Sequence, residues 1–231
     1  MLLQASEDKE FQSILEKADY LVPDGNGLYL ASLMQKKKSY FRSGIEVFFR
    51  RKSCEKKYGE LIKWSDLTRD ILEFARLKDK KILIIDNYRI THPKNPFERR
   101  KMRIQSQMES ILHREFPKLS CQVFFDGEMS PDALAHHIEL NQIDYVFACS
   151  GMKKQEKLLI EIFSYLPVYL KVVGLGVGSS LDYILGLQRR APLLCQKLGI
   201  EWLYRLILSP SRYRRIVDAV WRFPRRILKM R

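Results

Sequence analysis

Four short, β-branched apolar runs alternate with helix-length segments through the middle of the chain, and few folds accommodate that alternation. The runs are Lys80–Asp86, Cys121–Phe125, Asp144–Cys149 and Lys171–Leu175. Between them lie Arg100–Phe116, stopped by Pro117, then Pro131–Leu140 and Lys154–Tyr165, each with helical spacing of apolar residues. Lys80-Lys81-Ile82-Leu83-Ile84-Ile85-Asp86 has the short, unbroken hydrophobic character of a strand buried on both faces. Strands regularly separated by helices imply a parallel sheet with right-handed crossovers. The expected class is α/β: a Rossmann-like, mostly parallel sheet flanked by helices, followed by a C-terminal amphipathic helical appendage. Upstream, Ser65 or Asp66 is expected to cap a helix presenting Ile71, Leu72 and Ala75 on one face.

Nearer the N-terminus, Tyr20-Leu21-Val22 meets Pro23-Asp24-Gly25-Asn26-Gly27, and Leu28–Leu33 reopens a helix-compatible segment. The pattern predicts strand, tight turn and helix, because Pro23 stops ladder pairing while Gly25 and Gly27 permit angles that bulkier residues resist. Carboxyl ends of strands in open α/β sheets face the ligand crevice. Asp24 would then stand within reach of a substrate. A plain helix cap is the other account of it.

Two further strand ends carry glycine. Ser150-Gly151-Met152-Lys153-Lys154-Gln155-Glu156 leads into a helix, whose free N–H groups and a nearby lysine suit a diphosphate. Gly174-Leu175-Gly176-Val177-Gly178 reads as the end of a strand and a turn over Gly176–Gly178. Neither run has dinucleotide or P-loop spacing, and a packing role for these glycines is equally open. The histidines, His92, His113 and the adjacent His136 and His137, form no catalytic pattern with serine or cysteine.

Composition narrows the setting. The 231 residues, 46% of them hydrophobic, suffice for one large domain with an appendage. Four scattered cysteines, without a CxxC pair, point to a reducing compartment and away from zinc. No apolar run approaches the roughly twenty residues of a membrane span. Glu7, Asp8, Lys9 and Glu10 break up the apolar start, so no signal peptide is expected and a cytoplasmic location is. The net charge of +14 calls for an anionic partner, nucleic acid or membrane. Basic residues gather at Lys36–Lys57 and Arg205–Arg231. The second cluster interleaves with Trp202, Tyr213, Trp221 and Phe223, which suits an anionic headgroup layer. No helix-turn-helix, RNP or zinc-finger pattern supports nucleic acid.

One resemblance spans nearly the whole chain except the basic segment near 34–62. The blocks are Ala18-Asp19, Pro23–Gly27, Ser65-Asp66-Leu67, Gly151–Glu156 and Val172–Gly178, then Gly186, Arg189-Arg190-Ala191-Pro192, Leu198–Leu206, Pro210, Arg212 and Arg215. Together they resemble the WecG/TagA/CpsF family of bacterial glycosyltransferases. The resemblance implies inverting transfer of a hexose or N-acetylhexosamine, typically of the N-acetylmannosamine type, from a UDP-sugar donor. The acceptor would be a polyprenyl-diphosphate-linked sugar in teichoic acid or other cell-surface polysaccharide synthesis, at the inner face of the cytoplasmic membrane. Asp24 matches the family's proposed catalytic base. Gly25, Asn26, Gly151, Lys154, Gln155, Glu156, Gly176 and Gly178 would line the substrate site, with Arg205, Arg212 and Arg215 on the diphosphate. No metal and no cofactor is implied. Homo-oligomerisation is left open.

The expected organisation is a core over residues 1–195, with a basic insertion near 34–62, and a membrane-associating appendage over 196–231. Against the family pattern the chain opens inside the first helix, so the first strand and its Thr/Asn-containing loop are expected to be missing or to lie upstream. Lys153 stands where the family usually has proline. A degenerate homologue that binds without turnover, or a nucleic-acid-binding protein, are the alternative functional readings.

Overall fold

The computed structural model describes residues 2–22, 33, 62–87, 105–187, 191–192, 195, 201–208, 210, 213–218, 222–223 and 226. The chain divides into two compact units: Glu10–Asp19 with Trp64–Arg189, and Met1–Lys9 with Tyr20–Lys63 and Arg190–Arg231.

The larger unit is built on four parallel strands: β1 (Lys81–Asp86), β2 (Ser120–Phe125), β3 (Tyr145–Ala148) and β4 (Val173–Gly176), in the order β2-β1-β3-β4. In the register Ile84 lies opposite Val123 on one side and Phe147 on the other, and Phe147 opposite Leu175. The expected alternation is observed, within two residues at each strand boundary. Every residue of β1 from Ile82 to Asp86 is buried, which is why its sequence shows no polar alternation.

Helices cover both faces. α3 (Trp64–Leu77), α4 (Gln105–Glu115) and α7 (Ser180–Ile184) pack Leu72, Ala75, Met108, Leu112, Leu181 and Ile184 against Ile82, Ile84, Val123 and Phe147. On the opposite face, α5 (Pro131–Asn141) and α6 (Lys154–Tyr165) pack Leu134, Ala135, Ile138, Leu159 and Ile162 against Leu83, Ile85, Val146 and Ala148. Successive residues of β1 thus feed opposite cores, as the pleat requires. Lys80 closes the amino end of the sheet by pairing with Asp144 at 2.8 Å. Near the N-terminus come two more helices, α1 (Leu2–Ala5) and α2 (Lys9–Glu16), and α2 buries Phe11 and Leu15.

Three local expectations are corrected. No strand forms at Tyr20-Leu21-Val22: the backbone is irregular, with Tyr20 89% and Leu21 57% exposed. Three residues before a proline offer too few ladder groups to hold a strand. α3 starts at Trp64, so Ser65 and Asp66 lie in its first turn and do not cap it. The indole N–H of Trp64 donates to the Gly176 carbonyl at 2.9 Å, a tertiary anchor that local propensity does not reveal. Gly176 belongs to β4, and the turn follows it. A Cβ on Gly174 would stand 2.7 Å from Phe163 Cζ, so glycine here lets α6 approach the sheet.

In the smaller unit, α8 (Glu201–Leu208) and α9 (Tyr213–Val217) follow the core in sequence. Trp202, Leu203, Ile207, Leu208 and Tyr213 are exposed. Glu7 receives Arg222 at 3.5 Å and Arg226 at 2.9 Å, and Arg226 also donates to the Ser6 carbonyl.

Candidate functional site

Leaving β1, the chain passes to β2 on one side and then returns to β3 on the other. The carboxyl ends of β1 and β3 therefore flank a topological switch point, where open α/β sheets place their ligands. β1 ends there in Asp86, only 1% exposed. One of its carboxylate oxygens accepts the Asn87 N–H at 2.8 Å, and its carbonyl accepts the Asp126 N–H at 2.7 Å. Sequence reasoning took Asp86 only as a strand terminus. Its signal was a carboxylate closing an otherwise wholly apolar run.

β3 runs through Cys149 and Ser150 into the turn that starts α6. Gly151 has φ 90° and Lys153 φ 72°. The value at Gly151 suits glycine, but that at Lys153 is one a proline ring cannot reach. The Gly151 carbonyl accepts the Gln155 N–H at 3.0 Å and opens the helix. Lys153 donates its N–H to Glu156 Oε2 at 2.6 Å, while its ammonium pairs with Glu10 at 2.8 Å. Lys154 is exposed on the first turn.

Gln155 is 5% exposed and donates from Nε2 to Glu156 Oε1 at 2.7 Å. Both oxygens of Glu156 are thereby engaged, and its carboxylate sits where a helix N-terminus would attract an external anion. Glycines of β4 and the following turn make the facing wall. A Cβ on Gly176 would lie 2.7 Å from Gln155 Nε2 and 3.2 Å from Glu156 Oε1; one on Gly178 would lie 3.7 Å from Gln155 Oε1. These glycines leave room for the amide. Beyond them Ser180 and Asp182 are buried on α7.

Gly151, Gln155, Glu156, Gly176 and Gly178, expected from separate motifs, thus meet in one place. Asp24, Gly25, Asn26 and Arg212 lie outside the described residues, as do the side chains of Arg205 and Arg215. Sequence reasoning missed Trp64, Asp86 and Asp182 as neighbours of this region. Only tertiary packing links them to it. Among the described residues no group of His, Cys, Asp and Glu could hold a metal ion, and no helix is long and apolar enough to cross a membrane.

Residues 100–231 match the Glycosyl transferase WecG/TagA/CpsF family. The chain is 26% identical over 216 residues to the N-acetylglucosaminyldiphosphoundecaprenol N-acetyl-beta-D-mannosaminyltransferase of Bacillus subtilis (strain 168), covering 93% of this chain and 70% of that protein. The protein of the same name from Staphylococcus aureus (strain MRSA252) is 24% identical over 214 residues, covering 92% of this chain and 70% of its own length.

Proposed function

Because the chain belongs to the WecG/TagA/CpsF family of glycosyl transferases, we propose that it transfers an N-acetylhexosamine of the N-acetylmannosamine type from a UDP-sugar to a polyprenyl-diphosphate-linked N-acetylglucosamine. The observation that carries the substrate class is the alignment with the Bacillus subtilis mannosaminyltransferase across 93% of the chain. The chemistry of the switch-point crevice is compatible with it. Buried Gln155 and half-buried Glu156 face small glycines there, forming a hydrogen-bonding wall of one amide and one carboxylate.

In this reading Asp24 takes the proton of the acceptor hydroxyl as the oxygen attacks the anomeric carbon, and UDP leaves from the opposite face. Arg205, Arg212 and Arg215 offset the charge that develops on the leaving diphosphate, a role fixed cations can fill without a metal. The arginine-rich segment over 196–231 holds the enzyme on the anionic inner face of the cytoplasmic membrane, where a lipid-linked acceptor resides. What supports this last element is composition together with the exposed Trp202, Leu203, Ile207 and Tyr213.

The test is transfer of radiolabelled N-acetylmannosamine from its UDP donor to a lipid-diphosphate N-acetylglucosamine acceptor, with UDP-glucose and UDP-N-acetylglucosamine as competing donors. Product from the first donor alone supports the reading. Product from another UDP-hexose alone would move the proposal to that sugar.

A further inference from the structure

Glu7 ties the N-terminal turn to the C-terminal segment. It lies between α1 and α2, and its Oε1 pairs with Arg226 at 2.9 Å and with Arg222 at 3.5 Å. Arg226 also donates to the Ser6 carbonyl at 3.1 Å, so its fork meets two oxygens at once. Arg222 turns its other amine to Asp218, four residues earlier, at 2.9 Å. All these residues belong to the smaller unit. From Arg205 to Arg231 the sequence holds eight arginines and one lysine but a single acid, Asp218. Glu7, 219 positions from Arg226, brings a second counter-charge to that segment.

A lipid phosphodiester offers a guanidinium fork two oxygens side by side, as Ser6 and Glu7 offer Arg226. The side chains of Glu7, Arg222, Arg226 and Asp218 are 40–54% exposed, so headgroups can reach the arginines and the pairs are weak. An anionic headgroup layer rewards each basic residue at least as much as one exposed pair does. Exchange of Glu7 for lipid phosphate is therefore favourable at an anionic surface and has no counterpart at a neutral one. We propose that Glu7 is an acidic latch, which holds Arg222 and Arg226 against the N-terminal turn away from the membrane and yields them to anionic lipid phosphate. The C-terminal segment then shows its full charge only on such a surface. The inference rests on the membrane reading above and adds the residue that sets how readily the segment engages.

The experiment is co-sedimentation of the full chain with vesicles of equal parts phosphatidylglycerol and phosphatidylcholine, and of phosphatidylcholine alone. Parent, Glu7→Gln, Glu16→Gln and Arg222→Gln/Arg226→Gln proteins are compared, the last with and without Glu7→Gln, and circular dichroism verifies equal folding. Glu7→Gln should bind the anionic vesicles about two- to fivefold more tightly than the parent, the worth of an exposed ion pair no longer broken on binding. That gain should vanish on phosphatidylcholine alone. Glu16→Gln makes the same change of charge on α2, where Glu16 accepts from Gln12, and should tighten binding by less. In the Arg222→Gln/Arg226→Gln protein the Glu7 change should have no effect, because the partners it acts through are gone. Equal tightening by Glu7→Gln and Glu16→Gln, or no tightening by Glu7→Gln, would overturn the latch and leave the membrane reading intact. So would a Glu7 effect that survives loss of both arginines, or one of equal size on the two vesicles. A parent indifferent to anionic vesicles would overturn the membrane reading and the latch together.

Discussion

Gly151 and Gly176 are glycine for different reasons, and the difference can be measured. A methyl at Gly176 collides with the Gln155 amide at 2.7 Å, whereas at Gly151 nothing lies within 4 Å and only φ 90° opposes it. Gly176→Ala should therefore cost about 1–3 kcal/mol by overpacking and should also weaken nucleotide binding by displacing Gln155. Gly151→Ala should cost about 1–2 kcal/mol through backbone strain alone. Urea denaturation gives the first quantity and titration the second; intact nucleotide affinity in Gly176→Ala would separate that glycine from the site. Reactivity provides another residue-scale test. Burial, with the Glu109 charge adding to it, pushes the Cys121 thiol up to about 11. In the folded protein at neutral pH Cys121 should resist iodoacetamide, as mass spectrometry of the alkylated chain would reveal. At this scale glycine and Gln-Glu motifs were legible in the sequence because they are contiguous. Asp86 was not, since its importance comes from the order of the strands, which no local window contains.

At the scale of elements, β1 carries the sheet and α5 guards one of its edges. Ile84 is fully buried between Val123 and Phe147, so Ile84→Ala should cost about 2–5 kcal/mol in chemical denaturation. On α5, His137 pairs with Gln122 at 2.6 Å and stacks edge-on to Phe124 at 5.0 Å, while Asn141 donates to its carbonyl. Desolvation lowers its pKa from the ordinary 6.5. The folded state thus binds this proton less readily than the unfolded one, and stability is complete above about 6.5 and declines as pH falls through the lowered value. Melting temperatures between pH 7 and 5 should drop less in His137→Gln than in the parent, modestly so because the ring is partly solvated. The four strands of the sheet were readable because buried parallel strands are short, β-branched and punctuated. The strand expected at 20–22 and the cap expected at Ser65 or Asp66 failed because each depended on partners distant in sequence: a neighbouring strand in one case, the Trp64–Gly176 hydrogen bond in the other.

For the whole molecule, the sequence resemblance reached the family that the match over residues 100–231 establishes, while charge alone left membrane and nucleic acid equally open. Deleting residues 204–231 should release the protein from anionic vesicles, and raising salt should weaken binding of the intact chain through screening. Co-sedimentation with and without anionic lipid measures both; tight binding of the full chain to nucleic acid but not to vesicles would contradict the membrane role. The central claim, that this is a transferase using Asp24 as its base, is tested most directly by one comparison. Parent and Asp24→Asn proteins are assayed side by side for transfer of N-acetylmannosamine from UDP to the lipid-diphosphate acceptor, with circular dichroism to verify equal folding. The account predicts transfer by the parent and a loss of about 10²–10⁴-fold in the folded variant. Equal turnover by the two proteins, or no transfer by the parent from any UDP-hexose, would contradict it.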